Sequence, residues 1–151
     1  MSDQAVILLV DDREEDVLLV RRAFQKASLP NPLYIVRDGE EAFSYLKGEG
    51  KYSDRAEYPL PDLMLLDLKM PRVDGFQVLQ WLRQQPGFRD LPVIVLTASE
   101  YLRDVDQAYK LGANSFMIKP LDFQNFLEMS KYLSSYWLSK PPGAPGLRAG
   151  S

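Results

Sequence analysis

The chain has 151 residues, 46 % of them hydrophobic, and a formal net charge of −3 at pH 7. This length predicts one domain with a full hydrophobic core, and the net acidity argues against nucleic acid or an anionic membrane surface as a partner. The absence of cysteine and histidine excludes disulfides, thiolate catalysis, cysteine-ligated zinc and histidine-assisted nucleophiles.

Five short apolar runs alternate with segments of helical periodicity, which predicts a parallel sheet covered by helices. The predicted strands are residues 6–10, 33–36, 63–66, 93–96 and 115–118. The fourth predicted helix ends before Gly112, and the fifth begins at Asp122, a predicted N-cap. Right-handed crossovers between five βα units give an α/β fold with a doubly wound parallel sheet, whose flavodoxin-like form has the strand order 2-1-3-4-5.

Two segments lie outside this alternation. Residues 47–61 form a predicted polar loop that is longer than most connections. Residues 140–151 are rich in proline and glycine and have little to bury, so we expect one domain over residues 1–139 and a disordered tail over residues 140–151. We expect no output domain after it. Because the chain has neither a membrane-spanning run nor a secretory signal, we expect a soluble cytoplasmic protein.

The third predicted strand leads directly into Asp67, although an unpaired buried carboxylate is costly. Asp11 and Asp12 follow the first strand, Thr97 follows the fourth and Lys119 follows the fifth. Ligands bind beyond the carboxyl ends of the strands in open parallel sheets. If the first, third, fourth and fifth strands are neighbours, these five side chains meet at one edge of the sheet.

Three carboxylates so close together repel one another unless a cation joins them. Since every candidate ligand is an oxygen donor, the cluster favours Mg²⁺ over zinc or copper. The ammonium of Lys119 and the hydroxyl of Thr97 could then hold a phosphoryl group. Asp67 is best placed to be the nucleophile, because carboxylates can form acyl phosphates.

The motifs "VDD", "LLDLKMPRVDG", "LTAS" and "IKP", in this order and spacing, resemble those of the response regulator receiver domain. The resemblance extends over residues 6–137. It implies that Asp67 accepts a phosphoryl group from a histidine kinase in an Mg²⁺-dependent reaction. It also implies that Asp12 binds the metal directly, that Asp11 helps through water and that the backbone carbonyl of Lys69 is a further ligand. Such a protein is a phosphoacceptor that catalyses only its own phosphorylation and dephosphorylation.

By the same resemblance, Thr97 and Lys119 contact the phosphoryl oxygens, and Thr97 moves inward on activation. The ring of Phe116 turns with it and remodels the surface of the fourth helix, fifth strand and fifth helix. This surface would bind a partner, form a homodimer or serve a phosphorelay. The bond between Lys119 and Pro120 is expected to be cis. The ammonium of Lys69 either hinders the hydrolytic water or pairs with Asp12, and the sequence does not choose between these roles.

A narrower resemblance links the chain to the small regulators that serve bacterial phytochromes. It rests on "YSDRAEYPLPDL", "LGANSFMIKP" and "YLSSYW", and it implies a light-sensing histidine kinase as the partner. In the last of these stretches, Tyr132, Tyr136 and Trp137 are the interface candidates, because aromatic residues are favoured in interface cores.

Other functions and plainer structural roles compete with this interpretation. A haloacid-dehalogenase-like aspartyl phosphohydrolase also combines aspartate, threonine or serine, lysine and Mg²⁺, but it should carry a D-x-D motif after the first strand, which is absent. An FMN-binding flavodoxin should carry a phosphate loop there, where "DDREED" is anionic. A receiver that docks partners without phosphorylation would not need the full acid, threonine and lysine set. Asp12 with Glu15, and Asp74 with Gln77, also fit helix capping boxes.

Overall fold

A computed structural model describes residues 4–98 and 101–137, except for the side chains of residues 136 and 137. The predicted disordered tail therefore lies outside the described residues. The strands are β1 (Ile7–Val10), β2 (Leu33–Val36), β3 (Leu63–Leu66), β4 (Val93–Thr97) and β5 (Ser115–Ile118). The α-helices are α1 (Glu14–Lys26), α2 (Gly39–Lys47), α3 (Gly75–Gln84), α4 (Leu102–Lys110) and α5 (Phe123–Tyr132). A 3₁₀ helix (Gly50–Tyr52) lies in the long loop, and a π-helical turn (Leu133–Trp137) follows α5.

All five strands are parallel and have the order β2-β1-β3-β4-β5, as predicted. The three central strands, β1, β3 and β4, are buried along their whole length, whereas the edge strands β2 and β5 are mostly half-buried. This explains the continuous apolar runs of the central strands, since helices cover both faces of a doubly wound sheet. Among the described residues, no helix is long and apolar enough to cross a membrane.

Alternate residues of each strand enter two separate cores, one on each face of the sheet. In β1, Leu8 and Val10 pack beneath α2, α3 and α4, while Ile7 and Leu9 pack beneath α1 and α5. The crossover helices are thus divided between the two faces. The carboxyl ends of the strands remain uncovered at one edge of the sheet.

The helix ends confirm the two predicted caps at Asp74 and Asp122 and exclude the alternative capping role of Asp12. Asp74 forms a capping box with Gln77 at the start of α3, and the side chain of Asp122 accepts a hydrogen bond at the start of α5. The capping box considered as an alternative role for Asp12 is not formed, because α1 begins after Arg13, whose side chain makes no cap bond. The preceding Asp11 binds the backbone of Arg13 instead, which leaves Asp12 exposed to solvent.

The long loop between α2 and β3 is folded against the protein by aromatic contacts. Tyr34, Tyr45, Tyr52 and Tyr58 form a cluster with ring centroids 5.0–6.4 Å apart. Arg55 donates to the carbonyls of Tyr45 and Tyr58, and to a further carbonyl at the end of α2. The loop thus acts as a structural cover for the outer side of β2.

Candidate functional site

The five polar residues predicted to meet at the edge of the sheet do so. β1 leads into Asp11 and Asp12, β3 leads into Asp67, β4 ends with Thr97, and β5 leads into Lys119. Their side chains are close because β1, β3, β4 and β5 are consecutive neighbours in the sheet. Of the five, only Asp12 is exposed.

The carboxylate of Asp67 is the centre of this site and is only 4 % exposed. Its Oδ1 accepts from the hydroxyl of Thr97 at 2.9 Å and from the backbone N–H of Lys69 at 3.2 Å. Its Oδ2 accepts from the ammonium of Lys119 at 2.9 Å. The start of α3 approaches the same backbone so closely that Gly75 has no room for a Cβ beside the carbonyl of Asp67. These contacts fix the position of the carboxylate.

Lys119 is a buried cation that contacts three acids. Its Nζ lies 2.8 Å from Asp11, 2.8 Å from Asp16 and 2.9 Å from Asp67. Burial alone would lower the pKa of Lys119, but the three neighbouring carboxylates raise it above the usual value. The ammonium therefore remains charged and offsets part of the acidity of the site.

Asp16 was missed by the sequence interpretation. It lies in the first turn of α1, directly before the buried Val17. A helix that starts beside the end of β1 brings its first turn close to the site, and this was the available signal. Nothing in the local pattern separates Asp16 from the neighbouring acids Glu14 and Glu15, which are exposed.

The three predicted metal-binding carboxylates lie close enough together to share a cation. One oxygen each from Asp11, Asp12 and Asp67 falls within 4.8 Å of the others. In Asp11, Oδ1 accepts from the backbone N–H of Arg13, whereas the buried Oδ2 faces the ammonium of Lys119 at 2.8 Å. Burial raises the pKa of Asp11. A cluster of three carboxylates that offers only oxygen ligands fits a hard divalent cation such as Mg²⁺.

The side chain of Lys69 is directed away from these acids. Its Nζ lies 3.4 Å from Asp104 of α4, so the pairing with Asp12 considered from the sequence is not formed. Lys69 also lines a cavity of about 200 Å³ beside Asp67, together with Thr97 and Lys119. The cavity thus places the predicted acceptor next to a hydroxyl and an ammonium.

The other sequence predictions near the site have mixed outcomes. Phe116 is half-buried in β5 and packs against the core beneath α2, α3 and α4. The predicted cis bond between Lys119 and Pro120 is wrong for this structure, which has no cis peptide bond among the described residues; trans is the common form of X–Pro bonds. Tyr132 is exposed, while the side chains of Tyr136 and Trp137 lie outside the described part of the chain.

Comparison with known proteins gives one family match and several relatives of similar length. Residues 7–131 match the family described as response regulator receiver domain. The chain is 36 % identical over 142 residues to the response regulator Rcp1 of Synechocystis sp., covering 91 % of this chain and 95 % of Rcp1. It is also 36 % identical over 147 residues to FilR2 of Methanothrix harundinacea, a probable methanogenesis regulatory protein, covering 94 % of this chain and 90 % of FilR2.

Solved structures share the fold along almost the whole chain. The Mn²⁺-bound form of Rcp1 has a TM-score of 0.81 and 35 % identity, covering 92 % of this chain and 99 % of the Rcp1 chain. The phosphorylated cyanobacterial phytochrome response regulator RcpA has a TM-score of 0.80 and 33 % identity, covering 90 % of this chain and 99 % of RcpA. Both the overall fold and the chain length are therefore similar to those of phytochrome response regulators.

Proposed function

The chain belongs to the response regulator receiver family, and from that membership we propose that Asp67 accepts a phosphoryl group from the phosphohistidine of a sensor kinase. The observation that carries this proposal is the position of the Asp67 carboxylate. It lies at the end of β3, between the hydroxyl of Thr97 and the ammonium of Lys119, and beside the acids Asp11 and Asp12.

The proposed reaction is a displacement at phosphorus. An oxygen of Asp67 forms the new P–O bond while the P–N bond to the kinase imidazole breaks, and the imidazole leaves with the bonding electron pair. Lys119 and Thr97, which now bind the carboxylate, would turn their donors to the oxygens of the transferring group. Preorganised donors of this kind stabilise charge that develops in the transition state.

A divalent cation, Mg²⁺ in this proposal, would supply further charge neutralisation. The residues that would hold it are Asp11, Asp12, Asp67 and the backbone carbonyl of Lys69. The proximity of the three carboxylates supports this ligand set. The structure of Rcp1 with Mn²⁺ supports a divalent metal in a related protein.

Phosphorylation would change the surface through Thr97 and Phe116. A phosphoryl group adds roughly −1.5 to −2 charges near pH 7, and its oxygens would attract the hydroxyl of Thr97 away from its present bond to Asp67. Phe116 is only half-buried on the neighbouring strand, so its ring would follow into the space that Thr97 leaves. The remodelled surface of α4, β5 and α5 would then bind a partner or a second copy of the chain, or serve a phosphorelay.

The proposed partner is a sensor histidine kinase of the phytochrome class in the cytoplasm, and no contact with nucleic acid or membrane is proposed. The similarity to RcpA supports this kinase type. FilR2 is as similar in sequence as Rcp1 and carries a different regulatory name. Phosphotransfer measured against each histidine kinase of the source organism would therefore decide the partner.

The acceptor is tested by incubating the protein with acetyl phosphate and Mg²⁺. We expect the unaltered chain to incorporate one phosphoryl group and Asp67→Asn to incorporate none. Asp62→Asn is the matched control, because Asp62 is an equally buried carboxylate at the opposite end of β3. Labelling that survives in Asp67→Asn would contradict the assignment. Sustained hydrolysis of a generic phosphatase substrate would instead favour the haloacid-dehalogenase-like function, which the family match does not support.

A further inference from the structure

Asp16 is a fourth acid at the site, but it stands apart from the three carboxylates that could share a metal. Its Oδ2 lies 2.8 Å from Nζ of Lys119 and accepts a hydrogen bond from it. On its outer side the same oxygen lies 3.3 Å from Nε of Arg13. The side chain of Asp16 is only 17 % exposed. The acid is therefore held in place at the start of α1, with its charge directed towards Lys119.

Lys119 competes with a cation for the carboxylates of the cluster. Asp11 and Asp67, which both contact Lys119, are also two of the three acids that could share a metal. Oδ2 of Asp11 lies 2.8 Å from Nζ of Lys119. A divalent cation in the cluster would lie close to the positive charge of Lys119. The repulsion between the two cations would weaken metal binding unless the ammonium turned towards another carboxylate.

The contacts of Lys119 show which carboxylate can keep it when the cluster binds a metal. Asp11 and Asp67 belong to the metal cluster, whereas Asp16, which accepts a hydrogen bond from the ammonium, does not. We propose that Asp16 is a positioning residue that retains the ammonium of Lys119 when a divalent cation occupies the Asp11, Asp12 and Asp67 cluster. This inference rests on the proposed function, because it assumes that this cluster binds a metal.

Asp16 would thus allow one site to hold two cations. With Asp16 present, Lys119 keeps a carboxylate partner when the cluster binds a metal. Without the charge of Asp16, the acids that contact Lys119 are Asp11 and Asp67, and metal binding would have to displace the ammonium from both of them. Loss of the Asp16 charge should therefore weaken metal binding, and this effect should require Lys119.

The test is a double-mutant cycle on metal affinity, measured by calorimetric titration of the unphosphorylated chain with Mn²⁺ at physiological ionic strength. The variants are Asp16→Asn, Lys119→Met and the double variant, and circular dichroism verifies that each is folded. Glu15→Gln is the matched control, because it removes the same charge from the adjacent exposed position, whose ion pair is with Arg13 and not with Lys119.

We expect Asp16→Asn to weaken Mn²⁺ binding about five- to tenfold, the lower part of the range for coupled sites. Glu15→Gln should change it less than about twofold, since exposed charges are screened. Lys119→Met should strengthen binding and should remove most of the effect of Asp16→Asn. The Lys119→Met measurement tests the inference even if Asp16→Asn does not fold. Unchanged Mn²⁺ affinity in Lys119→Met would show that Lys119 does not compete with the metal, and the inference would be wrong.

Equal losses of Mn²⁺ affinity in Asp16→Asn and Glu15→Gln would also overturn the inference. So would an Asp16→Asn effect that is as large in the Lys119→Met background as in the unaltered chain. Normal Mn²⁺ binding with no effect of Asp16 would refute this inference and leave the proposed function intact. If the unaltered chain bound no Mn²⁺ at all, both the inference and the metal-assisted part of the proposed function would be wrong.

Discussion

Lys119 and Arg83 are cationic side chains at opposite ends of the sheet, and they bind different kinds of acceptor. At the carboxyl ends of the strands, Lys119 contacts the carboxylates of Asp11, Asp16 and Asp67. Near the amino ends of β4 and β5, Arg83 donates to the backbone carbonyls of Phe88, Arg89, Leu91 and Gly112 and to the side-chain oxygen of Asn114. Burial lowers the pKa of Arg83, whereas the carboxylates around Lys119 reverse the effect of burial and raise its pKa.

This difference separates a site that can exchange partners from a fixed structural link. The acids around Lys119 can exchange partners, because Asp11 and Asp67 also belong to the carboxylate cluster that could hold a metal. The acceptors of Arg83 are neutral oxygens in loops, and nothing in the proposed reaction would take them over. Changes near Lys119 should therefore alter the chemistry, and changes near Arg83 should alter the stability of the fold.

The largest expected effect is on phosphorylation and comes from Asp12→Ala. Removing this exposed acid should slow labelling by acetyl phosphate about 10²- to 10³-fold, the size of effect seen when a group that stabilises transition-state charge is lost. The labelling that remains in Asp12→Ala should no longer depend on Mg²⁺. The free energy of unfolding should change by less than about 0.5 kcal/mol, as for most surface substitutions. An unaltered rate with unaltered Mg²⁺ dependence would show that Asp12 does not hold the metal.

Arg83→Ala should have the opposite profile. It leaves several partly buried carbonyls without a donor, so we expect the free energy of unfolding to fall by about 2–3 kcal/mol. Chemical denaturation measures this change, and Arg89→Ala, an exposed arginine in the adjacent loop, is the control. The folded Arg83→Ala protein should still be labelled at Asp67 at a rate within about twofold of the unaltered chain, because the hydrogen bonds of Arg83 go to no residue of the site. A large loss of labelling rate in the folded variant would remove the distinction between the two ends of the sheet.

The smallest effect at neutral pH is expected from the tyrosine cluster. Burial raises the pKa of both Tyr45 and Tyr52. A pKa that is raised in the folded state favours the protonated form there, so stability should be constant below the unfolded-state value of about 10 and should fall as the pH rises above it. Absorbance at 295 nm should show these two hydroxyls ionising after the exposed tyrosines. If all eight tyrosines ionised together near pH 10 while the protein stayed folded, the cluster would not be buried as described.

Much of the fold and of the site follows from local features of the sequence. The predicted bounds of β2, β3 and β5 agree with the structure, since each of these strands is a short and mostly apolar run between polar segments. The meeting of Asp67, Thr97 and Lys119 follows from the strand order, because parallel strands bring their carboxyl ends to one edge. The site was thus predictable wherever a residue directly follows a strand.

The contacts made by helix residues could not be predicted in this way. Asp16, Asp104 and Arg83 have the sequence pattern of exposed helix positions, but each has a partner 29 to 103 residues away in the chain. The ion pair between Lys119 and Asp16 spans 103 residues. The capping box that the sequence of Asp12 and Glu15 fits is absent for a related reason. The backbone of Arg13 is bound by Asp11, a contact that depends on the exact direction of the chain after β1.

The central claim is that Asp67 is the phosphoacceptor, and site mapping tests it most directly. The protein is phosphorylated with acetyl phosphate and Mg²⁺, the acyl phosphate is reduced with borohydride, and the peptides are sequenced by mass spectrometry. We predict a homoserine at position 67 and at no other aspartate of the site. A homoserine at position 11, 12 or 16, with position 67 unmodified, would contradict the account.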